Sequence, residues 1–253
     1  MDGSRWALLN CSPDIREQIG FLTDLQPHGG PRHSPISDVL LTNGDIDHIG
    51  GLLSLRESHP LTIWSSEAVL AQIEANPIFG VLDRRHVEFR AVSPMAAFSP
   101  LDGLVMEAFD VPGKVPLYRE GEGTPEVTRN GNTVGMHLRH GYRVLSYVPG
   151  CGAVDGQLLA DLKDTDTLLF DGTLWADDEM IASRTGSKTG RRMGHVPVSG
   201  EDGSMAALAS LRARKIFVHL NNTNPLLIDG SPERRAAEAA GWTVAHDGMA
   251  VDS

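Results

Sequence analysis

The stretch Leu40 to Glu57, "LLTNGDIDHIGGLLSLRE", decides the fold. An apolar run stops at Thr42, then Asn43, Asp45, Asp47 and His48 follow in quick succession, and Gly50-Gly51 opens an apolar, helix-like segment. A strand ending at Leu41 delivers these side chains into a loop, and the two glycines let the backbone turn tightly into a helix. A carboxylate beside an imidazole is a good divalent-metal pair. By itself the motif is also compatible with a solvated acidic turn before a helix.

Around this stretch, short apolar runs recur between Gly, Pro and Asp. Strands are expected at Trp6 to Leu9, Val39 to Leu41, Leu61 to Trp64, Val87 to Ala91, Leu104 to Val111, Tyr142 to Val148, Thr167 to Phe170, Lys215 to His219 and Thr243 to Ala245. Helical patterns cover Asp14 to Leu22, Gly51 to Glu57, Ser66 to Ala75, Asp155 to Leu162, Ser204 to Leu211 and Ser231 to Ala240, several with Ser or Asp placed as N-caps. Strands come both in hairpin-like succession and in alternation with helices, so the expected class is an α/β sandwich with mixed sheets, in one domain spanning residues 1–253. The polar loop Arg119 to Thr133 reads as an exposed insertion or long hairpin, and the basic segment Ala182 to Arg192 as a flexible lid.

Composition narrows the function. With 22 basic and 33 acidic residues the net charge is −11, which argues against a general binder of nucleic acid or anionic membranes. Two cysteines, Cys11 and Cys151, are too few for a disulfide framework and fit a reducing cytoplasm. No run reaches the roughly 18 apolar residues of a membrane span.

Three further pieces carry chemistry. "KIFVHLNNTNP" puts His219 at a strand end, "TLLFDGTL" puts Asp171 at another, and "MGHVPVSGE" puts His195 in a Gly-flanked loop. Loops converging at one sheet edge are where α/β folds place their sites. Cys151 reads as a small buried residue rather than a thiolate ligand. The asparagines of "NNTNP" are expected to cap and turn the chain after His219, with orienting a metal-bound ligand as their second reading.

The order of strand, "TxxDxDHxGG", helix, "FDGT", "GH" and a strand-end histidine resembles the metallo-β-lactamase fold, an αββα sandwich whose usual pattern is "HxHxDH". More closely, "NCSPDIREQI", "RHSPISDVLLTNGDIDHIGGLLSLRE", "VPGKVPL", "YVPGC", "LLFDGT", "KTGRRMGH", "FVHLNNTNP" and "GWTVAHDGM" resemble the pyrroloquinoline quinone biosynthesis protein B family. These eight blocks run in order from about residue 7 to 251. Two departures matter. Against the general fold pattern, Asn43 and Asp45 stand in place of the first two histidines, and "YVPGC" stands where hydrolases keep another. Against the family, an opening strand, a glycine-rich turn and a cysteine cluster are absent, so the expectation is an N-terminally truncated form, prone to associate as a homodimer through an uncovered sheet edge.

The resemblance implies a metal held by Asp47, His48 and His219, with His195, Asp45 and Asp171 as the candidate catalytic set. Asp45 and Asp171 are also candidates for a further oxygen ligand or one standing behind the ligands, and Asp45 is left as either a ligand or a base beside the metal. Two histidines and a carboxylate suit non-haem Fe(II) with dioxygen as co-substrate, and zinc is a second candidate for the same site. Arg191, Arg192 and Lys114 would hold substrate carboxylates. The implied function is hydroxylation of the tyrosine of a Glu-Tyr derived precursor in quinone cofactor biosynthesis. A carrier taking the quinone or its precursor towards the periplasm is the alternative, and a zinc hydrolase follows from the fold alone.

Overall fold

The structure is a computed structural model that describes residues 5–121 and 126–251. The expected loop at 119–133 therefore includes four residues, 122–125, that lie outside the described residues. The chain groups into two compact units, each described in turn. The first comprises Met1–Ala108, Val115–Glu120 and Asn130–Val134, and the second Phe109–Lys114, Gly121–Arg129 and Gly135–Ser253.

The first unit is built on four parallel strands in the order β1 (Trp6–Leu9), β2 (Ile36–Leu40), β3 (Leu61–Ser65) and β4 (Val87–Ala91). Four of the five residues in each of β2 and β3 are buried, on both faces of the strand, as suits strands covered on both sides. Ile36, Val39 and Ile63 are fully buried against Ile15 of helix α1 (Ile15–Phe21). After β2 comes α2 (Ile46–Ile49), continued by a 3-10 turn over Gly50–Leu55. The helix thus starts earlier than the apolar pattern indicates, and Asp47 and His48 lie on its first turn rather than in a loop. Helix α3 (Glu67–Glu74) is capped by Ser66, whose hydroxyl accepts from the Val69 N–H at 3.2 Å. Then β5 (Ala97–Leu101) pairs antiparallel with β6 (Leu104–Asp110). Their register breaks between Phe98 and Leu101, where Pro100 has no N–H to donate.

The second unit continues with β7 (Val134–His140) and β8 (Arg143–Val148), an antiparallel pair. Next come α4 (Gly156–Asp161), β9 (Thr167–Asp171), α5 (Glu179–Ala182), α6 (Gly190–Met193), α7 (Ser204–Ala207), β10 (Arg214–Val218), α8 (Pro232–Ala239) and β11 (Trp242–Val244). Strands β8, β9, β10 and β11 are parallel neighbours in the order β11-β10-β9-β8, so their carboxyl ends share one edge. The core packs Leu168, Phe170 and Phe217 against Leu158, Leu208 and Trp242, with the Phe217 and Trp242 rings stacked at 3.8 Å. The expected lid at 182–192 is the end of α5, an exposed turn and the start of α6, which Thr189 caps through the Arg192 N–H.

Gly50 and Gly51 differ in what they do. Gly51 serves close approach: its N–H donates to the Cys11 carbonyl at 2.9 Å, and a Cβ there would sit 2.1 Å from the Ser12 carbonyl oxygen. A Cβ on Gly50 would meet side chains rather than backbone, the Pro13 ring at 3.2 Å and Ile46 at 3.5 Å. Gly51→Ala is therefore expected to cost about 1–3 kcal/mol of unfolding free energy, as overpacking against backbone does. Gly50→Ala should cost less, and urea unfolding of the two variants gives the comparison.

Candidate metal centre

In the first unit the loop between β2 and α2 is turned by side chains. Asn43, buried, accepts the Asp45 N–H on its Oδ1 at 2.9 Å, an Asx turn where the general pattern has a histidine. Asp45 is the N-cap of α2, its carbonyl accepting the N–H groups of His48 and Ile49. Asp47 is exposed and His48 buried. His48 Nδ1 lies 3.1 Å from the Thr42 hydroxyl, and Asn10 in turn holds Thr42 through both its hydroxyl and its backbone N–H. The His48 carbonyl accepts the Cys11 N–H at 2.7 Å, which fixes the helix start against the turn after β1.

In the second unit the parallel register sets Asp171 beside Val218, so His219 emerges next to Asp171 at the same sheet edge. Asp171 is fully buried, and each carboxylate oxygen takes two donors. Oδ2 accepts the Cys151 N–H at 2.8 Å and faces His195 Nδ1 at 2.7 Å, while Oδ1 accepts the Thr173 N–H at 3.0 Å and its hydroxyl at 2.6 Å. Burial alone would raise its pKa, but His195, His219 and the Thr173 hydroxyl outweigh it and leave the carboxyl below its ordinary value. An ionised carboxylate has room for about four hydrogen bonds. Those four sites are occupied, so Asp171 acts as an anchor that orients His195, the arrangement in which a carboxylate stands behind a metal-binding imidazole.

The Thr173 hydroxyl also reaches His195 Nδ1 at 3.0 Å and His219 Nδ1 at 2.7 Å. The two rings stack at 5.3 Å with 20° between their planes. His219 holds a left-handed backbone (φ 59°), which costs a non-glycine residue on the order of 1–3 kcal/mol and is typical of sites held in shape by their surroundings. One donor atom from each of Asp171, His195 and His219 lies within 4.8 Å of the others. Both Nδ1 atoms are engaged from behind and Asp171 is saturated by its four donors, so what the rings could offer a metal is Nε2, and a pair of imidazoles suits a borderline divalent ion.

The backing comes from Asn224, one of the asparagines read as capping and turning the chain after His219, and from Glu179, which the motif reading did not single out. Asn224, 2% exposed, donates from Nδ2 to the Gly172 carbonyl at 2.6 Å and accepts the Leu226 N–H on Oδ1. Glu179 accepts the Trp175 N–H on one oxygen and the Thr223 hydroxyl on the other, joining the loops after β9 and β10. Hydroxyls and amides within a few residues of a strand-end Asp or His are the signal that points to such partners. Cys151 contributes backbone: its carbonyl accepts the Val196 N–H beside His195, while burial and the Asp171 charge push its thiol pKa far up, so it is a neutral thiol. Cys11 is likewise buried and free, pushed up to about 12 by burial.

Of the three expected substrate cations, Lys114 is buried, its stem running along Gly194 at 3.1 Å from where a Cβ would be. Arg191 pairs with Asp202 at 2.6 Å in a partly exposed ion pair. Arg192 is half-buried on α6.

Residues 5–220 match the Beta-lactamase superfamily domain, which makes this a protein of the metallo-β-lactamase fold. The chain is 52% identical over 252 residues to the coenzyme PQQ synthesis protein B of Methylobacterium sp. (strain 4-46), covering 99% of this chain and 84% of the relative. It is 51% identical over 250 residues to the protein of the same name from Ruegeria pomeroyi, with the same coverage. The crystal structure of Zn(2+)-bound PqqB from Methylobacterium extorquens superposes with a TM-score of 0.96 at 48% identity, over 100% of this chain and 85% of that one. The chain belongs to the coenzyme PQQ synthesis protein B family. No helix among the described residues is long and apolar enough to cross a membrane.

Losing the Asn224 side chain would leave the buried Gly172 carbonyl without that donor. Asn224→Ala is expected to cost about 1–3 kcal/mol in chemical unfolding, the desolvation penalty of an unmade buried hydrogen bond. Added zinc, the metal of the Methylobacterium extorquens structure, is expected to be held more weakly by the variant than by the wild type in chelator competition.

Proposed function

We propose that this chain acts in PQQ biosynthesis as a metal-dependent oxidoreductase, hydroxylating the tyrosine ring of a Glu-Tyr derived precursor in the cytoplasm. The observation that carries the metal reading is the pair of imidazoles, His195 and His219, backed at Nδ1 by one buried carboxylate and one hydroxyl. Preference for oxygen chemistry over hydrolysis rests on Asn43 and Asp45 standing where a dinuclear hydrolase keeps histidines. Fe(II), when bound, would supply the capacity to use dioxygen, and zinc remains a competing occupant.

The ligand assignment drawn from the motif is Asp47, His48 and His219. His195, held on Asp171, would exchange a proton or lend a further nitrogen, and Asp45 is the second candidate base. Lys114, Arg191 and Arg192 are the cations that would hold the carboxylates of the precursor by charge-assisted hydrogen bonds. In balance, one oxygen atom of dioxygen is inserted into a ring C–H bond to give the hydroxyl and the other leaves as water, with two electrons and two protons from an added reductant, ascorbate, which becomes dehydroascorbate.

The test is anaerobic reconstitution with Fe(II), followed by oxygen, ascorbate and a Glu-Tyr peptide, with mass spectrometry of the product. A ring-hydroxylated product is expected, falling at least about 100-fold in His48→Ala and His219→Ala, the scale of losing an essential catalytic group. Undiminished product in those variants would sink the metal assignment. Tight binding of the quinone without turnover would replace the enzyme with a carrier.

A further inference from the structure

We infer that Thr173 is a positioning residue that sets the tautomer of both site histidines, its hydroxyl donating to Asp171 and accepting from His195 and His219 so that each ring presents an Nε2 lone pair. The inference deepens the metal reading above and rests on it only for what the lone pairs serve.

The argument is a count of protons. A hydroxyl carries one hydrogen and has two acceptor positions. Thr173 Oγ1 has three partners: Asp171 Oδ1 at 2.6 Å, His219 Nδ1 at 2.7 Å and His195 Nδ1 at 3.0 Å. An ionised carboxylate can only accept, so the single hydrogen goes to Asp171, the shortest of the three contacts. Both remaining partners must then donate, and each Nδ1 carries hydrogen. For His195 the same result follows independently, because Nδ1 also faces Asp171 Oδ2 at 2.7 Å. For His219 it follows through Thr173. The polarity of one buried anion is thereby passed through a hydroxyl to a second imidazole that it does not have to touch.

The backbone around Thr173 is held separately from its hydroxyl. Its N–H donates to Asp171, and its carbonyl accepts the Asn221 N–H at 3.0 Å and Asn224 Nδ2 at 3.3 Å. Replacing the hydroxyl by a methyl of nearly the same size removes the relay while leaving these bonds in place, and Thr173→Ser restores it.

The direct test is a long-range proton–nitrogen correlation spectrum of the metal-free protein at a pH of about 8, above the ordinary imidazole pKa of about 6.5. Wild type and Thr173→Ser are expected to show Nδ1–H for both His195 and His219. In Thr173→Val, His195 keeps Nδ1–H through Asp171, whereas His219 loses its fixed tautomer. Zinc affinity by chelator competition should fall about 10–100-fold in Thr173→Val, the usual effect of removing a partner behind a metal ligand, and return in Thr173→Ser. An Nε2–H tautomer at His219 in the wild type would overturn the inference without any variant. So would a folded Thr173→Val with the wild-type His219 signal and wild-type zinc affinity. Should Thr173→Val lose its cooperative thermal transition, Thr173→Ala takes its place in both readouts. Wild-type tautomers as expected in a protein that binds neither zinc nor Fe(II) would support the role of Thr173 while removing the metal reading.

Discussion

An ionised carboxylate with no exposure is among the least tolerable groups in a protein interior, and Asp171 at the end of β9 is one. Its desolvation, several kcal/mol even after relaxation, is offset by four donors drawn from separate segments. Cys151 supplies an N–H from the loop after β8, Thr173 an N–H and a hydroxyl from the loop after β9, and His195 its Nδ1 from beyond α6. The anion therefore ties these segments together, and each of them must be in place for the others to be stable. A site whose stability depends on its own geometry is a rigid one, which suits ligands that have to hold a metal in fixed positions.

The tie is available because of strand direction. Strands β8, β9 and β10 are parallel neighbours, so Cys151, Asp171 and His219 follow at one edge within reach of each other. Antiparallel pairing of β9 with either neighbour would send the partner's following loop to the opposite edge. Asn224 and Glu179 then hold the loops from outside: one accepts the role of donor to Gly172, the other accepts from Trp175 and Thr223. The imidazole atoms that could take a metal are few, but the hydrogen bonds behind them occupy much of the loop structure on that edge.

Much of this was legible in the sequence. The β-branched and apolar runs at 6–9, 61–64 and 87–91 are strands within a residue of where periodicity puts them, and the "FDGT" and "FVHLNNTNP" blocks sit at strand ends as read. What escaped has physical reasons. Strand β5 contains Pro100 and is mostly unburied, and β7 mixes Gly135, His137 and Arg139 into its run, so neither shows a clean apolar signal. Helix α2 starts at Ile46 because the Asx turn at Asn43 and the ties from Cys11 set its first turn, and such side-chain to backbone bonds leave no periodic trace. Thr173 lay in plain view in "FDGT". Its importance comes from three partners, two of them 22 and 46 residues away, which only tertiary structure brings together.

The two units solve the same local problem in different ways, and the difference lies in charge. In each, a threonine hydroxyl near a strand end meets an imidazole Nδ1: Thr42 with His48, and Thr173 with His219. Behind Thr42 stands the amide of Asn10, whose Nδ2 can donate and whose Oδ1 can accept. A neutral amide offers both polarities, so this chain of bonds leaves Thr42 able either to give its hydrogen to His48 or to receive one, and does not by itself fix the ring tautomer. Behind Thr173 stands Asp171, which can only accept, and its one-way demand runs through the hydroxyl to both rings. A carboxylate there also makes the imidazoles better electron donors to a metal than an amide would. The cost of burying an anion is thus coupled to a fixed proton arrangement at His195 and His219, and an isosteric Asn at position 171 would keep the shape while losing the direction.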